Sequence, residues 1–303
     1  MDLTVWRTFV SVCRLGSLSA AADELHHTQS AVSRQIAGLE QRLGVVLVER
    51  HARGVRPTAA GEVFCRHALV VLDEADRAVR AVRDVRDGGS GRPLAVGATP
   101  SLAAGIVPEA IGGLLESRAV RWSLLPGPSA QLHDRVASGD LDVAVVTDAP
   151  PGLVRDVRVE RRLLGLDEMV VVLPLGHRLA GRGRVDVRAL AGEVWAEDNE
   201  GSAVLLRQHA DRAGVGARID LAAADLPGKL ALVATGHAIA LVPGVLARAL
   251  RADVVAVALV DPPTRGIHVL TPCRDPHPCA GVLFDRLVEA FRGRAGAGGR
   301  EWG

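Results

Sequence analysis

Apolar residues recur every three or four positions through the first 85 residues of this chain, then give way to short apolar runs separated by helical stretches. The sharpest helical signal is Val32, Ile36, Leu39 and Leu43, whose steps of four, three and four place them on one buried face. Thr28 is the expected N-cap and Gly44 the expected stop. Ahead of it, Ser17 or Ser19 can open a shorter helix through Ala20, Ala21 and Ala22, small enough to cross closely over the next, and His26, His27 and Thr28 make a polar turn. The first helix repeats Leu3, Trp6, Val10 and Cys13 with Phe9 flanking, and ends at Gly16. Cys13 on that face reads as a buried, inert thiol. Beyond Gly44, the run Val45 to Val48 and the later Val55 flank the turn pair Arg53-Gly54, which predicts a hairpin.

A third long helix, capped by Thr58, carries Phe64, Ala68, Val71, Ala75, Ala78, Val82 and Val85 in alternating steps of four and three. That 3.5-residue period predicts a seam against another helix at a shallow angle. No second heptad segment occurs in the chain, so the simplest partner is the same helix of another subunit; the alternative is packing on the chain's own C-terminal domain. Three alanines weaken the seam. Asp87-Gly88-Gly89-Ser90-Gly91 then breaks the helix as a flexible joint.

The C-terminal two thirds alternate strands and helices. Expected strands are Leu94 to Ala98, Val120 to Leu125 and Leu141 to Val146, with helices around Leu102 to Leu115 and around Leu132 and Val136. A second set follows: strand Val170 to Leu173, helix Ala203 to Ala213, strand Arg218 to Leu221, helix Pro227 to Thr235 and strand Ala238 to Val242. The chain returns through Ile267 to Leu270 into a last helix with Val282, Leu283, Leu287, Val288 and Phe291. Such alternation implies a parallel sheet with helices on both faces. Crossing strands near Leu163 and Arg265 divide it into two lobes.

At 303 residues the chain has room for about two domains. Hydrophobic residues at 48% and charged residues at 23% describe a globular protein. No apolar run spans a bilayer and no export signal is visible, so a cytoplasmic location and no membrane partner are expected. The four cysteines are scattered and expected to be reduced. A net charge of +1 hides an asymmetry: between His26 and Pro57, five arginines (34, 42, 50, 53, 56) face two acids (Glu40, Glu49). Basic charge therefore gathers where the two short helices meet the hairpin. Gln29, Ser30, Ser33 and Arg34 project from the start of the Thr28 helix and suit base edges in a DNA major groove. Arg50, Arg53 and Arg56 on or near the hairpin suit phosphates or the minor groove, with one of the three expected to be a solvated surface charge.

The residues Ser17-Leu18-Ser19-Ala20-Ala21-Ala22, Thr28 to Ile36, Leu39-Glu40, Leu43-Gly44-Val45, Glu49-Arg50 and Thr58-Ala59-Ala60-Gly61 resemble the LysR-type transcriptional regulators, closely over about the first 65 residues and in pattern beyond, with Gly-Asp-Leu-Asp at 139 to 142 as another matching piece. Three residues depart from the family's pattern: Ser30 stands where proline is frequent, and Val46 and Val48 where proline and an aromatic are usual. The resemblance implies an all-α winged helix-turn-helix with a long linker helix, followed by a two-lobed α/β effector-binding domain like periplasmic solute-binding proteins. The expected division is residues 1–58 for DNA binding, 59–87 for the dimerising linker, 88–92 for the joint and 93–303 for the effector domain. Lobe I takes about 93–162 and 268–303, and lobe II about 163–267.

Ligands of open α/β sheets bind at the carboxyl ends of strands. That rule selects Thr99-Pro100-Ser101, Gly127-Pro128-Ser129, Thr147-Asp148 and, from lobe II, Asp198 to Ser202. The family resemblance favours Thr99, Ser101, Ser129, Thr147 and Asn199 among them. Each hydroxyl could be a helix cap only, and Asp198 and Glu200 leave an amine-bearing or neutral effector open beside an anion.

Cys273, His277 and Cys279 lack a fourth ligand and a recognised zinc spacing, so no metal is expected. No cofactor loop and no catalytic constellation is visible, and an enzyme is not expected. His237 reads as a buried, hydrogen-bonded histidine, with a pH-reporting role as the alternative. Expected partners are double-stranded promoter DNA, a small-molecule effector and further copies of the chain in a dimer or tetramer, with RNA polymerase a further candidate. The competing class is a solute-binding or enzymatic α/β protein whose N-terminal helices serve oligomerisation only.

Overall fold

Side-chain caps start each of the first three helices. In the computed structural model, which describes residues 2–51, 54–86 and 92–295, α1 (Leu3–Leu15) begins where the Asp2 carboxylate accepts from the Thr4 amide at 2.9 Å. Ser17 caps α2 (Leu18–Glu24) through the Ala20 amide, and Thr28 caps α3 (Gln29–Leu43) through the Ala31 amide, both at 3.2 Å. Each bond satisfies a donor that the helix itself leaves unpaired. Gly44 ends α3 in the left-handed conformation. The three helices close on Phe9, Val12, Ala21, Ala22, Val32, Ile36 and Leu39, with Leu43 partly buried at the edge.

The buried face of α1 is not the one its periodicity suggested. Phe9 and Val12 are fully buried, Leu3 is exposed, and Val10 and Cys13 are half-buried. The choice is made by α4 (Ala59–Arg86), whose Phe64 ring meets Trp6 and Phe9 edge-on at 5.0 and 5.3 Å. Val45 and Val46 are exposed and precede the hairpin, which is β1 (Val48–His51) paired antiparallel with β2 (Gly54–Pro57). Gly54 carries more than a turn: a Cβ there would collide with the Gly16 carbonyl, which accepts from the Val55 amide at 2.8 Å. Gly61 is bound likewise, since a Cβ would overlap the Leu47 carbonyl.

Thr58 caps α4 through the Gly61 amide at 3.0 Å. The heptad seam divides along its length. Phe64 and Ala68 are spent on the chain's own helical core, because α1 lies over them. Val71 and Val82, 40% and 71% exposed, and the exposed Ala78 leave the outer half uncovered. Arg53, the joint residues 87–91 and the side chains of Arg50 and Val85 lie outside the described residues.

The chain divides into two compact units at residue 90. In the second, β3 (Leu94–Ala98), α5 (Pro100–Ala103), α6 (Ile106–Ser117), β4 (Trp122–Pro126), α7 (Ser129–Ala137) and β5 (Val143–Thr147) form lobe I. Strands β4, β3 and β5 are parallel neighbours. The helix expected through Leu102 to Leu115 is broken at Ala104 and Gly105 into α5 and α6. A sixteen-residue strand, β6 (Val159–Pro174), then runs out of lobe I. Lobe II adds β7 (Arg184–Val185), β8 (Val194–Glu197), α8 (Glu200–Arg212), β9 (Arg218–Ala222), α9 (Leu226–Ala234), β10 (Ile239–Pro243) and β11 (Val254–Leu259). The return strand β12 (Thr264–Pro272) and α10 (Ala280–Ala295) complete lobe I.

The sheet is mixed where a parallel one was expected. β12 pairs antiparallel with both β5 and β6, and β6 pairs antiparallel with β10 and β11, because the two crossing strands must run out and back between lobes. One apolar core, from Leu94 and Ile111 through Val172 to Val242 and Leu283, continues across both lobes. No helix among the described residues is long and apolar enough to cross a membrane.

Candidate nucleic-acid interface and effector site

The start of α3 presents Gln29, Ser30 and Arg34 exposed, with Ser33 half-buried behind them. Thr28 does two jobs there: it caps the helix, and its hydroxyl lies 3.1 Å from that of Ser30. The Arg34 Nε donates to the Ser30 carbonyl at 3.3 Å, so its guanidinium is anchored to the same turn. The unpaired amides of a helix N-terminus carry partial positive charge, which favours a polyanion at this end. Among the hairpin arginines, Arg56 is exposed.

Two residues that composition treats as simple charges or amides turn out to hold this surface in place. Glu40, counted above among the acids, accepts from the Leu47 and Val48 amides at 2.7 and 3.1 Å and ties α3 to the hairpin. Gln35 accepts from the buried Thr8 hydroxyl at 2.7 Å and ties α3 to α1. Behind the turn, Arg14 and Ser11 bond Glu24 and hold its carboxyl below the usual glutamate range. Only the helix spacing of Gln35 and Glu40 was visible in the sequence; their partners were not.

In the second unit, strand register brings three loops to one edge. Ala98 lies opposite both Pro126 and Val145, and the Gly127 amide donates to the Ala98 carbonyl while the Thr99 amide donates to that of Val145, each at 3.1 Å. Thr99, Ser129 and Thr147 therefore share the carboxyl end of the sheet. Their hydroxyls are not equivalent. Ser129 donates to the Thr147 carbonyl at 2.9 Å and accepts from its amide at 3.3 Å. Ser101 accepts from the Arg265 guanidinium at 3.0 Å. The Thr99 hydroxyl is buried with no hydrogen-bond partner, and it does not cap α5.

Lobe II contributes Asn199, which caps α8 through the Ser202 amide at 2.9 Å and donates to Asp198 at 3.0 Å. The α8 start lies against lobe I: a Cβ on Gly201 would sit 2.9 Å from the Pro150 carbonyl oxygen. Asn199 is thus brought to the lobe I loop that follows Thr147, while Asp198 is occupied below by Lys229 at 2.7 Å.

Three groups of charges organise this region; Asp148 stood among the strand-end candidates, but its partner His268 and the pairs Arg265–Asp167 and Lys229–Glu197 were missed in the sequence. Arg265 on β12 pairs with Asp167 on β6 at 2.9 Å, and Asp167 also accepts from the Val245 amide at 3.0 Å. Burial pushes the Asp167 carboxyl up, against the pull of Arg265. Asp148 accepts from the Gly266 amide at 2.6 Å and meets His268 Nε2 at 3.1 Å. Lys229, 1% exposed, bonds Glu197 at 3.1 Å and the Leu241 carbonyl at 3.0 Å. Burial raises the Glu197 carboxyl, with Lys229 opposing. The partners of Arg265 stand 98 and 164 residues away in sequence, so no local pattern joins them.

His237 is exposed rather than buried, because the turn at Gly236 directs it off the end of α9. His277 is committed to the backbone, its Nε2 to the Arg92 carbonyl at 2.9 Å and its Nδ1 accepting from the Cys279 amide at 3.1 Å. Among the described residues no group of three potential ligands could hold a metal ion.

Two family models match the chain: the bacterial regulatory helix-turn-helix protein of the lysR family over residues 3–62, and the LysR substrate binding domain over residues 87–292. The HTH-type transcriptional regulator PcaQ of Agrobacterium fabrum is 36% identical over 178 residues, 58% of this chain and 56% of that protein, so the match spans little more than half of that relative's length. CatR of Pseudomonas putida is 29% identical over 271 residues, 86% of this chain and 89% of that one. Among solved structures, full-length CbnR in complex with its target DNA superposes with a TM-score of 0.56 at 24% identity over 97% of this chain and 100% of that one. An OxyR mutant from Corynebacterium glutamicum gives 0.60 at 23% identity over 98% and 93%. At those identities the structures speak for the fold alone.

Proposed function

The chain belongs to the LysR family, and from that premise we propose that it is a sequence-specific DNA-binding transcriptional regulator controlled by a small-molecule effector held between its two lobes. The observation that carries the reading is the capped, exposed start of α3, where Gln29, Ser30 and Arg34 stand free of the core. Residues 1–58 bind DNA, with Arg50, Arg53 and Arg56 on the phosphates. Residues 59–87 join two copies through the outer seam of α4, 88–92 form the joint, and 93–303 bind the effector. A dimer or tetramer in the cytoplasm, meeting promoter DNA and RNA polymerase, is the working assembly.

In the effector site the buried, unpartnered Thr99 hydroxyl and the Arg265 guanidinium are the groups that a ligand would engage. A ligand acceptor that draws Arg265 away from Ser101 would act on the strand pair β6 and β12 that joins the lobes. Only a ligand with different affinity for the two arrangements can shift their populations. Fluorescence anisotropy with the upstream promoter duplex, at two salt concentrations, tests the DNA reading: the log of the affinity should fall with the log of salt. Equal binding to a scrambled duplex would defeat sequence specificity.

A further inference from the structure

Lobe I carries a hollow that the effector reading does not use. It encloses about 280 Å³ where α7 crosses the β6 and β12 strands, with Leu270 and His133 beneath, and Val154, Val157, Arg155 and Arg161 around the mouth. Its volume lies just below the usual range of ligand sites, which limits any occupant to a small molecule. Val154 and Val157 are each 66% exposed, so apolar surface lines the entrance.

His133 distinguishes this hollow from a surface dent. Its side chain is 4% exposed, yet neither ring nitrogen has a hydrogen-bond partner. Asp134 lies 3.5 Å from Nδ1 without bonding it. By contrast, the buried His277 uses both of its nitrogens. Buried polar groups are ordinarily paired, and a neutral imidazole offers one donor and one acceptor. The one carboxylate lining the hollow, Asp156, is already held by the Arg158 guanidinium at 2.6 Å, and its carboxyl is lowered. Arg155 and Arg161 thus leave the mouth cationic over an apolar wall.

We propose that this hollow binds a small apolar carboxylate about one ring in size, its carboxyl group meeting His133 and the rim arginines and its ring lying on Leu270, Val154 and Val157. The site lies outside the strand-end cluster of Thr99, Ser129 and Thr147, so one chain holds two ligands independently.

Calorimetric titration of the full chain with 4-bromobenzoate tests this, with an anomalous-difference map of the soaked crystal to locate the bromine. The expected result is saturable binding that persists in Thr99→Ala and places bromine beside His133. Binding should weaken about tenfold or more in His133→Gln, the scale of one lost charge-assisted bond, and in Val157→Asp, which sets a like charge against the carboxylate. The exposed Val157 makes its variant safe for folding should His133→Gln fail to fold. Uncharged 4-bromobenzyl alcohol should bind about tenfold more weakly for the same reason. No binding, binding that Val157→Asp leaves unchanged, or bromine found only at the strand ends would overturn the proposal; equal affinity for the alcohol would overturn its carboxylate.

Discussion

The two candidate sites hold their polar groups in opposite ways. At the start of α3, Gln29 and Ser30 extend into solvent from a helix fixed by Thr28, Gln35 and Glu40. At the strand ends of the second unit, Ser129 is bonded to Thr147 and Ser101 to Arg265, and Thr99 is buried without a partner. A surface that reads a duplex needs side chains free to meet base edges on a rigid support. A site that responds to a ligand works differently, because the ligand must replace bonds the protein makes to itself. On the proposed effector reading, the bond a ligand would replace is that of Arg265 on β12 to Ser101 of lobe I, which spans the two lobes.

The sharpest way to break this comparison is to remove the buried charge under the lobe II loop. Lys229→Met leaves Glu197 buried and unpaired, and should cost about 3–5 kcal/mol of effector-domain stability, read by urea unfolding. An unchanged midpoint would mean that Lys229 is not the counter-charge. Next, Arg34→Ala should cost about 1–3 kcal/mol of DNA affinity and relax base preference, measured by anisotropy against base-substituted duplexes. A uniform loss across all duplexes would make Arg34 a phosphate contact.

Smaller effects separate the hydroxyls. Ser129→Ala removes two bonds to Thr147 and should destabilise by about 1 kcal/mol, whereas Thr99→Val replaces an unpartnered hydroxyl with a methyl group of the same shape and should be neutral or stabilising by up to about 1 kcal/mol. Thermal unfolding of the two variants side by side checks the sign, and a loss in both would show that Thr99 is paired. The smallest expected effect is one of pH. Burial, then Arg212, lowers the pKa of His209 below 6.5, so the folded domain prefers the neutral ring. Its stabilising contribution is complete above that value and declines as pH falls through the folded pKa. His209→Gln should flatten that acid-side slope in a thermal series from pH 7.5 downward.

Much of the first unit was legible because its signals are local. Ser17 and Thr28 cap helices whose amides lie three residues on, and the Val32 to Leu43 face follows from 3.6 residues per turn. The same periodicity misplaced the α1 face, because which of two adjacent stripes is buried depends on Phe64, more than fifty residues away. It also could not divide the α4 seam, since the heptad is continuous and only the packing of α1 decides that Ala68 is buried while Val71 meets solvent. In the second unit, the strands and helices of lobe I appeared within a few residues of their positions, and β8 and β11 were missed as short apolar runs without alternation.

What the amino-acid order determined by itself was a set of capped helices, a basic hairpin and hydroxyls at strand ends, all written within a turn or a strand of one another. What only the tertiary structure decided was which of those hydroxyls is free, and which charges are buried together. Arg265 meets Ser101 and Asp167, and Lys229 meets Glu197, only because β6 and β12 cross and α9 folds over β8. Hydrogen bonds and ion pairs act over about 3 Å, while the segments that make them lie tens to more than a hundred residues apart along the chain.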